Sequence, residues 1–184
     1  MGKYIVGITG ASGAIYGHRL IEHLKTSGHI VHLICTDAGK KVSDWEGESS
    51  AFKLADEKFK VDNFFAPPAS GSSLYDGMIV APCSVGTMAK IACGIGDNLL
   101  TRSADVCIKE KVPLIIVPRE APLSGIHLNN MQSLVKNGVH LIPASPHFYH
   151  RPKTIEDLVD TVLSRVLDHL KVQHNVGKRW GESE

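Results

Sequence analysis

Tyr4-Ile-Val-Gly-Ile-Thr-Gly-Ala-Ser-Gly13 begins as a short buried strand and ends as a glycine-rich turn. A helix is expected to follow to about Leu24, with Gly28 as its stop signal. A strand that feeds a helix through a tight turn is the opening unit of a parallel sheet, because parallel neighbours need a crossover between them.

The same unit recurs along the chain. Residues 30–34 read as a second strand and residues 77–81 as a third, closed by Pro82. Leu114-Ile-Ile-Val117 is a continuous apolar run, as expected of a strand covered on both faces, and residues 139–142 form another strand. Helices are expected from Ser84 through Met88, Ile91 and Ala92, over residues 98–110, and over 127–137. Segment 37–62 is mostly polar and helical in parts, and the glycines and prolines of 66–73 read as a loop. The last helix has the clearest pattern. Ile155, Leu158, Val159, Val162, Leu163, Val166, Leu167 and Leu170 keep i, i+3, i+4, i+7 spacing, and Thr154 caps them with Asp157 three residues on. Alternating strands and helices imply an α/β fold, a doubly wound parallel sheet in a single domain over residues 1–170. A polar tail, 171–184, follows.

Composition narrows the function. With 21% charged residues and a net charge of +1, nothing favours nucleic acid or an anionic membrane as the main partner. Cys35, Cys83, Cys93 and Cys107 show no zinc-type spacing, and Cys35 and Cys83 sit in or just after apolar runs, so buried free thiols are expected. That usage suits a reducing compartment. No apolar run approaches a membrane span, and the chain opens on its first strand without a charged leader, so a cytoplasmic protein is expected. The histidines make no HExxH or other chelating pair, and no metal site is expected.

Two turns carry the chemistry. In Thr9-Gly-Ala-Ser-Gly13 the glycines let backbone approach a phosphate, whose charge is met by the amides that open the next helix. The alternative is a tight turn with no ligand. Pro82-Cys-Ser-Val-Gly-Thr87 also follows a core strand and opens a helix with hydroxyl side chains, although simple N-capping would account for it alone. Two such turns on one sheet point to a shared ligand. A dinucleotide fingerprint fits poorly, since Tyr16 fills the slot of the third glycine and Gly17 follows it. The formal YxxxK at Tyr149-His-Arg-Pro-Lys153 is broken as a helix by Pro152. Arg119-Glu120 follows a strand at the end where open α/β sheets place ligands. Glu156-Asp-Leu-Val-Asp160 reads as structural, its acids serving a helix N-terminus.

Taken together, Gly7-Ile-Thr-Gly-Ala-Ser-Gly-Ala-Ile-Tyr-Gly17, Asp97-Asn-Leu-Leu-Thr-Arg-Ser-Ala-Asp-Val106, Lys109-Glu110, Val117-Pro-Arg-Glu-Ala-Pro122, Ile126-His-Leu-Asn-Asn-Met131 and Pro146-His-Phe-Tyr-His-Arg-Pro152 resemble the UbiX-type flavin prenyltransferases. The resemblance runs from residue 3 to Trp180. It implies a Rossmann-like flavoprotein of the cysteine decarboxylase superfamily that joins a dimethylallyl group from dimethylallyl phosphate to reduced FMN. The product would be prenylated FMN, used by a UbiD-type decarboxylase. It also implies a homo-oligomer, a dodecamer built from trimers, with sites at subunit interfaces and no metal.

Carried onto this chain, the resemblance implies that Gly10, Ala11, Ser12 and Thr36 meet FMN, and that Ser84, Val85, Gly86 and Thr87 form a second flavin loop. Arg119 would contact FMN near the leaving phosphate. Tyr149 and Arg165 would contact the prenyl phosphate, together with Lys109 and Arg102. Glu46 and Glu120 would be the site carboxylates, with Glu48 as a substitute for Glu46, and Trp180 would close the site from the tail. Thr36 stands where serine is usual, and Gly86 replaces a frequent lysine. The rival readings are an FMN-dependent cysteine decarboxylase and a non-catalytic flavin-binding subunit of a decarboxylase system.

Overall fold

The computed structural model describes residues 1–177. In chain order the elements are β1 (Lys3–Ile8), α1 (Ala14–Thr26), β2 (Ile30–Cys35), α2 (Asp37–Trp45), β3 (Glu57–Phe59) and β4 (Gly77–Cys83). Then follow α3 (Val85–Ala92), α4 (Leu99–Glu110), β5 (Leu114–Pro118), α5 (Gly125–Lys136), β6 (His140–Leu141) and α6 (Ile155–His169). The strands form one six-stranded sheet in the order β3-β2-β1-β4-β5-β6, with every neighbouring pair parallel. The chain winds outward from β1 to β3, then returns to lay β4 on the other side of β1. The carboxyl ends of β1 and β4 therefore flank the point where strand order reverses, the crevice in which open α/β sheets hold ligands.

Each face of the sheet buries its own core. Tyr4, Val6 and Ile8 of β1 pack with Leu20, Ile21 and Leu24 of α1 and with Val162, Leu163 and Val166 of α6. Ile5, Met78 and Val80 point the other way, onto Met88 and Ile91 of α3 and Leu100 and Ala104 of α4. Burial of a side chain of this size contributes about 1.5–3 kcal/mol, so the two layers account for most of the drive to fold. Helix α6 is also docked by charge. Asp160 takes hydrogen bonds from Arg19 Nη2 at 2.6 Å and meets His23 Nε2 at 2.8 Å on α1. Burial pushes the Asp160 carboxyl up, but these partners outweigh it and hold it below the usual range. Asp157 accepts from the amide of Thr154, the reciprocal arm of a capping box. The acids of Glu156 to Asp160 thus have structural partners.

One expectation is extended and one corrected. The polar segment 37–62 is helical in parts, as α2 shows, and it also contains a strand, β3, paired to β2 through Glu57, Lys58 and Phe59. It is three residues long and at the sheet edge, where a polar exposed strand carries no alternating apolar signal. Pro82 does not close β4, which runs on to Cys83. Proline has no amide to give the ladder, but its carbonyl accepts from Thr9 N at 3.3 Å, and the β4–β5 register shifts between Val80 and Cys83 to pass it. The loop over 66–73 holds two short 3₁₀ turns. Cys35, Cys83 and Cys107 are buried free thiols, while Cys93 is exposed. Burial pushes the three buried thiols up to about 12, which keeps them protonated and unreactive. No helix among the described residues is long and apolar enough to cross a membrane.

Candidate functional site

Three helices begin at the crevice, because β1, β2 and β4 are neighbours and each is followed by one. The turn after β1 is tight by necessity. A Cβ at Gly10 would stand 2.7 Å from the Ala38 Cβ, so the first turn of α2 rests directly on it. Gly13 takes φ 97° and serves as N-cap of α1 without a side chain to cap with. The orphan amides of α1 are met from a distance instead: Glu46 carboxylate oxygens accept from Gly13 N at 3.0 Å and Ala14 N at 2.7 Å. An anion sits where the positive end of a helix dipole points.

The turn after β4 supplies its own cap. Ser84 Oγ accepts from Thr87 N at 3.4 Å and donates to Thr87 Oγ1 at 3.1 Å, placing two hydroxyls at the start of α3. Thr36 caps α2 in the same manner, accepting from Gly39 N at 3.0 Å, and its own amide donates to Ile8 O at 3.0 Å. Gly86 lies open, since a Cβ there would meet nothing within 4 Å.

Thr9 fastens the two turns together. Its buried hydroxyl donates to Pro82 O at 2.9 Å and accepts from Ser84 N at 2.7 Å. Arg119 adds a second tie from the end of β5. Its amide donates to Cys83 O at 3.2 Å, and its Nε donates to Ser12 O at 3.2 Å. A guanidinium is thereby fixed above the mouth of both turns. The next residue, Glu120, is exposed and accepts from Ala121 N at 3.0 Å.

One chain thus brings together Gly10, Ala11, Ser12, Thr36, Glu46, the Ser84–Thr87 turn and Arg119. Glu46 and Glu48 are told apart by geometry: Glu46 faces the first turn, whereas Glu48 meets His18 on the flank of α1. The remaining expected residues have other neighbours. Arg102, in the first turn of α4, donates to Ala69 O at 3.3 Å and Asp105 Oδ2 at 2.8 Å. Lys109 pairs with Glu110 in the last turn of α4. That turn leads into the amino end of β5, so Lys109 lies at the pole opposite the crevice. Arg165 is exposed on α6 and donates to Asp168 at 2.7 Å. The Tyr149 ring is exposed and stands 5.6 Å from that of His147. Trp180 lies outside the described residues.

The bridging role of Thr9 and the pairing of His18 with Glu48 are not evident from single residues. Thr9 carries a weak signal, a hydroxyl at the last position before the turn. The His18–Glu48 pair carries none, its members being 30 residues apart.

Residues 2–167 match the family model described as Flavoprotein. The flavin prenyltransferase UbiX of Halalkalibacterium halodurans is 48% identical, and the match covers 98% of this chain and 94% of that protein. The crystal structure of AnUbiX in complex with FMN and dimethylallyl pyrophosphate superposes with a TM-score of 0.96 at 36% identity, covering 100% of this chain and 99% of that one. A dodecameric FMN-dependent UbiX-like decarboxylase from Escherichia coli O157:H7 gives a TM-score of 0.94 at 41% identity, covering 98% of this chain and 100% of that one.

Proposed function

The chain belongs to the UbiX-type flavin prenyltransferase family, and we propose from that premise that it joins a dimethylallyl group from dimethylallyl phosphate to reduced FMN. The product is prenylated FMN, passed to a UbiD-type decarboxylase. The observation that carries this reading is the convergence of three helix N-termini and Arg119 on the crevice between β1 and β4. Two phosphate-bearing molecules need positive potential that does not have to reorganise, and Arg119 with the starts of α2 and α3 supplies it beside the α1 amides that Glu46 already meets.

The residues fit the flavin on their own geometry. The α1 amides already hold a carboxylate, so the position accepts an anion. Gly10, Ala11, Ser12 and Thr36 would hold FMN from the β1 side, and Ser84, Val85, Gly86 and Thr87 from the β4 side. The open space at Gly86 leaves room for a flat ring to approach α3. When bound, reduced FMN supplies the electron-rich ring that takes the allylic group. Arg119, tied to both turns, stabilises negative charge on the departing phosphate. Glu46 is placed to accept a proton, a role that Glu120 shares from the rim. Tyr149 and Arg165 would hold the prenyl phosphate as it enters.

Lys109, at the wrong pole of its own chain, reaches a site only through assembly, and Arg102 is assigned to the same neighbouring site. A homo-oligomer, a dodecamer like that of the E. coli relative, would bring them to a neighbour's crevice. Exposed Phe65, Ile126 and Phe148 give such contacts apolar surface. The buried free thiols suit the cytoplasm. The test is anaerobic incubation with reduced FMN and dimethylallyl phosphate, read by mass spectrometry. Recovery of FMN enlarged by one dimethylallyl group is expected. Recovery of unmodified FMN alone, or decarboxylation of a cysteine peptide in its place, would overturn the reading.

A further inference from the structure

Glu46 and Glu48 stand on either side of Gly47, whose φ of 77° reverses the chain at the end of α2. Their carboxylates reach α1 at two levels. Glu46 meets Gly13 N and Ala14 N, and Glu48 Oε2 meets His18 Nδ1 at 2.5 Å, one helical turn further along. The other ring nitrogen of His18 lies 3.2 Å from Glu22 Oε1, so the imidazole is held on both sides. The Glu48 amide donates back to Ser43 O at 2.7 Å, which ties this turn to the body of α2. The His18 and Glu48 side chains are only 16% and 22% exposed, so the contact is shielded from the solvent that weakens surface pairs.

We propose that Glu48 and His18 are positioning residues for Glu46: they clip the turn after α2 onto α1 and so hold the Glu46 carboxylate against the amides that open α1. Glu46 needs such help. It is an exposed residue at the C-cap of a nine-residue helix, where fraying would let its carboxylate swing into water. A second attachment two residues on removes most of that freedom. For a proton acceptor in the crevice, the clip converts a mobile carboxylate into an oriented one. This inference rests on the reading of the crevice as the prenyl-transfer site.

The experiment uses the full-length protein with Glu48→Ala, Glu48→Gln, His18→Phe and Glu46→Gln. Hydrogen exchange of the peptide carrying Gly13 and Ala14 reads the clip without reference to activity. Single-turnover prenyl transfer and FMN affinity read its consequence. Glu48→Ala and His18→Phe should each speed exchange of that peptide about tenfold, the loss expected for one charge-assisted hydrogen bond. They should slow transfer by a similar factor at saturating substrate, with FMN affinity within about twofold of wild type. Glu48→Gln should restore most of both. Adding Glu48→Ala to Glu46→Gln should cost nothing more, because the group being positioned is already altered. Unchanged exchange at Gly13 and Ala14, or transfer losses that add to those of Glu46→Gln, would overturn the proposal. If exchange responds as stated but wild type forms no prenylated FMN, the clip stands and the functional reading falls.

Discussion

The turns after β1 and β4 look interchangeable as sequence, each being a glycine and hydroxyl segment between a buried strand and a helix. In the folded chain they are built on opposite principles. The β4 turn caps its own helix, with Ser84 meeting Thr87 three residues away. The β1 turn has no cap of its own and borrows Glu46 from the end of α2 and Arg119 from the end of β5. A self-capped turn is a rigid wall. A turn completed by distant charged groups places those groups where chemistry can use them, which is why the proposed proton acceptor and phosphate cation both belong to the β1 side.

Arg119→Ala should separate the two turns most sharply. It removes the guanidinium over the crevice while leaving both turns capped, so we expect a loss of about 100- to 1,000-fold in single-turnover prenylated-flavin formation. Circular dichroism should be unchanged, and an unfolded variant would mean that its tie to Ser12 serves the fold instead. Thr9→Val comes next, because it keeps the shape and deletes both hydroxyl bonds between the turns while the Thr9 amide keeps its bond to Pro82 O. Leaving the Ser84 amide and Pro82 carbonyl without the hydroxyl should cost about 1–3 kcal/mol, read as a lower urea midpoint.

Glycine substitutions probe the asymmetry directly. Gly10→Ala forces a methyl into Ala38 and should cost about 1–3 kcal/mol. Gly86→Ala enters open space in the first turn of α3, so thermal unfolding should show no loss, and at most a gain of about 0.5–1 kcal/mol. Equal destabilisation by the two would break the comparison. Ser84→Ala should cost about 1 kcal/mol through the lost cap, read by thermal unfolding.

How much of this could be read beforehand follows from the range of the interactions. Elements with a continuous local pattern were legible: the apolar run at 114–117, the i, i+3, i+4 spacing of α6, and the capping residues Ser84 and Thr154. The doubly wound order was legible in kind, since alternating strands and helices admit few topologies. Strand β3 was not, because an edge strand reading Glu-Lys-Phe buries too little to need a pattern. Nor was the passage of β4 through Pro82, which depends on a carbonyl bond from Thr9, 73 residues away. At the candidate site, both glycine turns and the strand-end position of Arg119 could be read from local sequence. The distinction between Glu46 and Glu48 could not, since both flank one glycine and only the packing of α2 on α1 assigns their directions. The place of Lys109 follows from the direction in which α4 runs, a property of the whole sheet.

The most direct test of the account is a crystal structure of the protein soaked or grown with FMN. The flavin is expected in the crevice between the Gly10–Gly13 turn and the Ser84–Thr87 turn, with Arg119 within hydrogen-bonding distance of the flavin or of a phosphate beside it. FMN bound away from the carboxyl ends of β1 and β4, or absent from crystals at saturating concentration, would contradict it.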